Sequence, residues 1–180
     1  ISHTAVRDIT ALRGMVRLQD LDLTATNLID FTVLASLKRL ERLDVSHTTI
    51  ANPSVLAGLR RLRRLDLTHT PIKELAAISH LRQMEYLAVS DTPVRDLNPL
   101  AQWGRLVQLE IDRTDVSDLR PLTQLARLRT LHLEETLVSD LTPLMRLHRL
   151  EKLELSKRQV NTYQLKALRR VLPSAKWVLN

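Results

Sequence analysis

The chain has 180 residues, 44% of them apolar and only 3% aromatic, and its 27 Lys and Arg outnumber 20 Asp and Glu to give a net charge of +7. That is enough chain and apolar content for one ordinary core. The lack of cysteine excludes disulfides and thiolate metal sites, and no apolar run approaches the roughly 18 residues of a membrane-spanning helix.

In chain order, residues 1–17 read as the remainder of a repeat that Ile1 enters at its sixth position. A solenoid cut inside a strand exposes an apolar coil and a sheet edge, so further repeats or another domain are expected upstream. Residues 18–149 hold six complete copies of one 22-residue unit, beginning at Leu18, Leu40, Leu62, Met84, Leu106 and Leu128, and a seventh copy starts at Leu150. A constant period of this length signals a solenoid, in which each unit buries its apolar face only against its neighbours.

Within the unit, position 4 is Leu in all seven copies, from Leu21 to Leu153, and position 6 is always aliphatic, from Leu23 through Val45 and Ile111 to Leu155. Mostly polar residues flank them, giving the period-2 alternation of a short strand with one buried face. Strands one repeat apart run parallel and stack about 4.8 Å apart. Position 9 is Thr from Thr26 to Thr136, and Thr4 shares the register. A buried hydroxyl where the chain leaves the strand is expected to bond the turning backbone of its own and the neighbouring coil. That makes the column structural rather than catalytic.

Position 11 returns an aliphatic residue to the core, as at Leu28, Ile50 and Val94. Position 13 is mainly acidic (Asp8, Asp30, Glu74, Asp96, Asp118, Asp140) and leads into Leu-x-Pro-Leu at Leu97–Leu100 and Leu119–Leu122. Capped 3₁₀ or irregular helical turns are therefore expected on the outer side.

Residues 150–180 hold the last expected strand and a cap. The register fails after Leu155, since Arg158 stands where Thr should be. Asn161 or Thr162 can start a helix carrying Leu165, Leu168, Val171 and Leu172, ended by Pro173, which leaves Trp177 and Leu179 to cover the last coil. The natural chain is expected to end near Asn180.

The pattern LxxLxLxxTxVxDLxPLxxLxx resembles the leucine-rich repeat. Its 22-residue period and DLxPL segment are similar to the bacterial internalin-like class, with Thr in place of that class's usual Asn at position 9. The resemblance implies an α/β solenoid forming a right-handed arc, with a parallel sheet on the concave face, short 3₁₀ turns on the convex face and a C-terminal capping helix. It also implies a bacterial protein-binding module; a non-enzymatic, monomeric module within a larger protein is expected.

With positions 4 and 6 turned inward, positions 3, 5 and 7 form the exposed sheet face. The candidate partner-binding residues there are Arg42, Asp44, Arg64, Asp66, Tyr86, Gln108 and Glu110, with His47, His69 and Asp91 along the margin. Alternating Arg and Asp columns can simply neutralise each other, but Tyr86 beside the small Ala88 and flanked by Arg64 is the composition of an interface hot spot. The two His and Asp91 are metal-ligand types, yet a straight row converges poorly on a tetrahedral centre. No metal or cofactor is expected.

Position 22 is Arg at Arg17, Arg39, Arg61, Arg105, Arg127 and Arg149. Such a stripe could track the phosphates of nucleic acid or anionic lipid, or meet an acidic protein, although no aromatics interleave with it for base stacking. A further alternative is an architectural or autoinhibitory arm of an upstream catalytic domain. Catalysis itself has little support. Ser46 with His47 and Ser79 with His80 are chain neighbours whose side chains diverge on an extended backbone, and there is no phosphate-cradling glycine loop.

Overall fold

The computed structural model describes residues 1–159 and 161–180. Among these, the alternating segment of each copy becomes a short strand, and eight strands form one parallel sheet in sequence order. They are β1 (Asp20–Asp22), β2 (Arg42–Asp44), β3 (Arg64–Asp66), β4 (Tyr86–Ala88), β5 (Gln108–Glu110), β6 (Thr130–His132), β7 (Lys152–Leu155) and β8 (Lys176–Leu179). β1 to β7 pair in the register that the repeat demands, with Leu21 opposite Leu43 and so on to Leu131 opposite Leu153.

Backbone pairing continues past the strands. The Leu23 amide donates to the Asp44 carbonyl at 2.8 Å and the Ala25 amide to the Ser46 carbonyl at 3.0 Å. The same two bonds recur between coils, as from Leu67 to Ala88 and from His69 to Ser90. Each coil therefore satisfies its backbone on the next.

On the opposite side the described residues form 3₁₀ turns three to five residues long, from Thr10–Gly14 to Thr142–Arg146. Position 13 starts them in a way the sequence anticipated. The Asp30, Asp118 and Asp140 carboxylates accept the amides of Thr32, Arg120 and Thr142 at 2.8, 2.9 and 2.9 Å, and Asn52 does the same for Ser54. The three Asp bonds reach the first 3₁₀ residue two positions on, so these acidic residues stand one place before the cap proper, whereas Asn52 is itself the cap. They also hold the Asp30 and Asp140 carboxyls below the usual carboxylate range.

The core is one column per inward position. In the coil that starts at Met84, seven residues (Met84, Leu87, Val89, Val94, Leu97, Leu100 and Trp103) are no more than 1% exposed. Trp103 takes the place of a Leu and can be buried because its indole N–H donates to the Ser79 carbonyl at 2.9 Å.

Three expectations need correction. The Thr column does not bridge coils: the hydroxyls of Thr26, Thr48, Thr70, Thr92 and Thr114 donate to the position-6 carbonyl of their own coil at 2.5 to 2.8 Å. A hydroxyl has one proton, and the four-residue turn claims it. Second, position 7 is not uniformly exposed, because Ser46 and Ser90 are buried; the Ser46 hydroxyl folds back onto Asp44 at 2.6 Å.

Third, the chain beyond Pro173 does more than lie over the last coil. Helix α1 (Thr162–Val171), capped by the Asn161 side chain on the Tyr163 amide at 2.8 Å, replaces a 3₁₀ turn. The chain then re-enters the sheet as β8, with Trp177 opposite Leu153 and Leu179 opposite Leu155. Leu168 and Leu172 are buried as expected, whereas Val171, at the helix end, is 38% exposed.

The inside and outside assignments can be tested by urea denaturation. Leu87→Ala hollows a closed column and is expected to cost about 2–5 kcal/mol. Asp115→Ala, which removes only an exposed pair with Arg95, should change stability by less than about 1 kcal/mol. Equal losses would mean the coil is assigned inside out.

Candidate functional site

Consecutive copies place like positions side by side, so position 3 of β3 and β4 sets Arg64 opposite Tyr86. The guanidinium carbon lies 4.3 Å from the ring centroid, a cation–π contact. Ala88, two residues on, is 0% exposed, leaving room for the ring to settle half-buried on the sheet. Burial, with the charges of Asp66 and Glu110, holds the Tyr86 phenol protonated well above its ordinary value, and its hydroxyl bonds Glu110.

Beside this stack runs the position-5 column of β1 to β3. Asp22, Asp44 and Asp66 stand in successive strands, and each accepts the amide two residues on (Thr24, Ser46, Thr68) at 2.9 Å. These local bonds fix the carboxylates on the floor of a groove of about 530 Å³, lined by Asp20, Asp22, Arg42, Asp44, Arg64, Asp66 and Tyr86. Arg42 is engaged by Asp20 across the strands. Burial raises the Asp66 carboxyl above the carboxylate range, the Thr68 bonds oppose this, and the charges of Asp44 and Glu110 add to it.

The structure therefore gathers Arg42, Asp44, Arg64, Asp66 and Tyr86 into one groove. It adds Asp20 and Asp22, outside the candidate set but in the same two columns. Gln108 and Glu110 lie next along the sheet, where the Gln108 amide donates to Glu110 at 2.6 Å. Farther on, Lys152 meets Glu154 at 2.7 Å and His132 at 3.3 Å, so that end of the face settles its charges internally. Asp112, at position 7, is a half-buried carboxyl that repeat-by-repeat reading passes over; burial raises it too.

The margin residues sit apart from the groove, at the turn after the strands. Position 8 is left-handed in the truncated first copy and all six complete copies, at His3, Ala25, His47, His69, Asp91, Arg113 and Glu135, with φ between 51° and 56°. His47 and His69 stack at 4.3 Å between centroids, His69 Nε2 lies 3.3 Å from Asp91, and Arg113 holds Asp91 with two bonds of 2.5 and 2.6 Å. The Asp91 carboxyl is accordingly pulled below its usual range, chiefly by Arg113. Among the described residues no group of three or more His, Asp and Glu could hold a metal ion.

The position-22 arginines occupy the other edge, where the outer turn re-enters the strand. Each lies at the tip of a turn closed by a backbone bond, as from Leu40 to Leu37 at 3.0 Å and from Leu128 to Leu125 at 2.9 Å, and all six are exposed.

The sequence matches no protein-family model and no curated protein. Solved structures are similar. An internalin C2 from Listeria monocytogenes superposes with a TM-score of 0.70 at 28% identity, covering 86% of this chain and 78% of that one. A Listeria monocytogenes internalin, inlF, gives 0.71 at 20% identity over 100% and 68% of the two chains. A leucine-rich-repeat protein from Leptospira interrogans gives 0.79 at 18% identity, over 95% of this chain and 51% of its own length.

The raised Asp66 carboxyl has a stability consequence with a definite sign. The folded state binds its proton more tightly than the unfolded chain, so ionisation costs stability as pH rises from about 4 through the folded value. Asp66→Asn keeps the acceptor for the Thr68 amide and removes the charge. The variant should melt at or above the parent temperature at pH 7, with the gain vanishing towards pH 3. A clear loss of stability at pH 7 would show that the carboxylate is stabilising where it stands.

Proposed function

We propose that this chain, a leucine-rich-repeat solenoid of the internalin-like repeat class, is a non-enzymatic protein-recognition module that holds its partner in the concave groove of β1 to β4. The observation that carries the reading is the Arg64–Tyr86 stack beside the half-buried Asp66. Tyr and Arg supply most of the binding energy in many interfaces because a rigid ring and a planar cation bury large area at small entropic cost. Here the cation holds the ring in place before any partner arrives.

The groove floor adds a preference. Asp44 and Asp66 are fixed by local amides, and Arg42 is already engaged by Asp20. A basic group on the partner would relieve the mutual repulsion along the column. Since a carboxylate row is costly without such a group, it also rejects acidic surfaces. Internalin and leucine-rich-repeat neighbours support protein binding in general, and the Arg64–Tyr86 stack and the aspartate row favour this groove as its place.

Affinity capture with the purified chain tests this. Proteins retained by the parent should be lost with Tyr86→Ala, which is expected to weaken binding by about 2 kcal/mol or more, roughly thirtyfold. They should remain bound to Arg120→Ala on the outer turn. Retention by the groove should also persist at about 200 mM salt, since little of it is long-range attraction. Equal retention by both variants, or none by the parent, would remove the groove as the binding site.

A further inference from the structure

We propose that the edge formed by the position-22 turns is a docking track for a linear anionic polysaccharide, with Arg17, Arg39, Arg61, Arg105, Arg127 and Arg149 as its rungs. This edge lies at the start of the strands, away from the floor of the concave groove, so the two surfaces stand or fall separately.

The first ground is the distribution of unpaired charge. Several arginines elsewhere are neutralised: Arg42 meets Asp20, Arg95 meets Asp115, Arg113 meets Asp91 and Arg120 meets Asp118, although Arg7, Arg13, Arg146, Arg169 and Arg170 also meet no carboxylate among the described residues. The column just inside the edge, position 2, does the same. Arg63 lies between Glu41 and Glu85 at 3.8 and 3.3 Å, and Arg129 meets Glu151 at 3.1 Å. At the edge itself, Arg17, Arg39, Arg61, Arg127 and Arg149 meet no carboxylate among the described residues, and Arg105 donates to the neutral Gln83 carbonyl at 2.5 Å.

The second ground is geometry. Each arginine is carried at a turn tip whose backbone is pinned both within the coil, as by the Leu62 to Leu59 bond at 2.9 Å, and to the preceding coil, as by the Arg63 to Glu41 bond at 2.8 Å. The rungs therefore recur with the coil spacing, about 4.8 Å at the sheet and comparable to the length of one sugar ring, except at Gln83, across which Arg61 and Arg105 stand two coils apart. A guanidinium takes a carboxylate or sulfate through two parallel N–H bonds, so one rung can serve one charged sugar.

The third ground excludes the competitors. In the later coils the row is one residue wide, because position 21 is Gly104, Ala126 and His148. Such a row suits a thread better than a plane, and among the described residues the one α-helix, α1, reaches only the last coil and flanks none of the earlier rungs. Duplex phosphates follow two strands that wind away from a long edge, and a single-stranded nucleic acid would want aromatic platforms that this edge lacks.

Immobilised heparin is the probe. The parent chain should be retained at low salt, with affinity falling steeply between about 50 and 200 mM NaCl as bound counterions are released. The quadruple variant Arg39→Gln, Arg61→Gln, Arg105→Gln, Arg127→Gln should bind at least about tenfold more weakly with a flatter salt dependence. A second quadruple of equal net charge, Arg95→Gln, Arg120→Gln, Arg146→Gln, Arg169→Gln, should bind like the parent. In the unmodified chain, heparin should protect Arg61 and Arg127 from phenylglyoxal, read by mass spectrometry; this readout needs no variant to fold. The proposal is overturned if the two quadruples lose affinity equally, if those arginines are not protected, or if duplex DNA or phosphatidylserine vesicles bind more tightly than heparin.

Discussion

In-register parallel stacking governs everything else in this molecule. Because alternate amides from the strand into its following turn are satisfied by the next coil, no coil can slip without unpairing its neighbour, and every sequence position is multiplied into a column. In the interior this is favourable: a column of Leu87, Leu109 and Leu131 is closed on all sides. On the surface it is a problem, because identical charges are brought about 5 Å apart, where even in water they repel by close to 0.8 kcal/mol per pair.

The chain answers that problem differently on each surface. At position 3 it breaks the column, replacing a third arginine by Tyr86 so that Arg64 finds a ring instead of another cation. At position 8 it alternates, and the run from His69 through Asp91 to Arg113 is internally neutral. At position 5 of β1 to β3 it does neither. Three aspartates stand in file, and burial of the third lifts its carboxyl out of the ordinary range. A folded chain rarely keeps such an arrangement for stability's sake, and unfavourable local electrostatics of this kind collect where something binds.

How much of this could be read beforehand follows from the same constraint. The buried columns were legible because two periods agreed, the alternation within a strand and the 22-residue spacing between strands. That agreement also foretold the Arg64–Tyr86 neighbourhood, since both residues hold position 3. What escaped was whatever depends on backbone conformation rather than on pattern. The left-handed turn at position 8 is filled by Ala25, His47, Asp91, Arg113 and Glu135, residues with no common conformational preference and no glycine to betray it. Each costs roughly 1–2 kcal/mol, offset by the amide it lends to the next coil and by the Thr hydroxyl that closes the turn.

The re-entry of β8 was hidden for a related reason. Trp177 is opposite Leu153, 24 residues earlier, so the last coil is two residues longer than the period and its partner strand falls out of any 22-residue alignment. The extra length follows from the capping helix: α1 occupies ten residues where the other coils spend three to five on a 3₁₀ turn. A helix rising less per residue than a 3₁₀ turn needs more residues to span the same outer edge. The coil can lengthen there because no further repeat has to match it within the described chain. The cap thus obeys the same ladder as the repeats while departing from their period, and its two indoor residues, Trp177 and Leu179, continue the columns of Leu153 and Leu155.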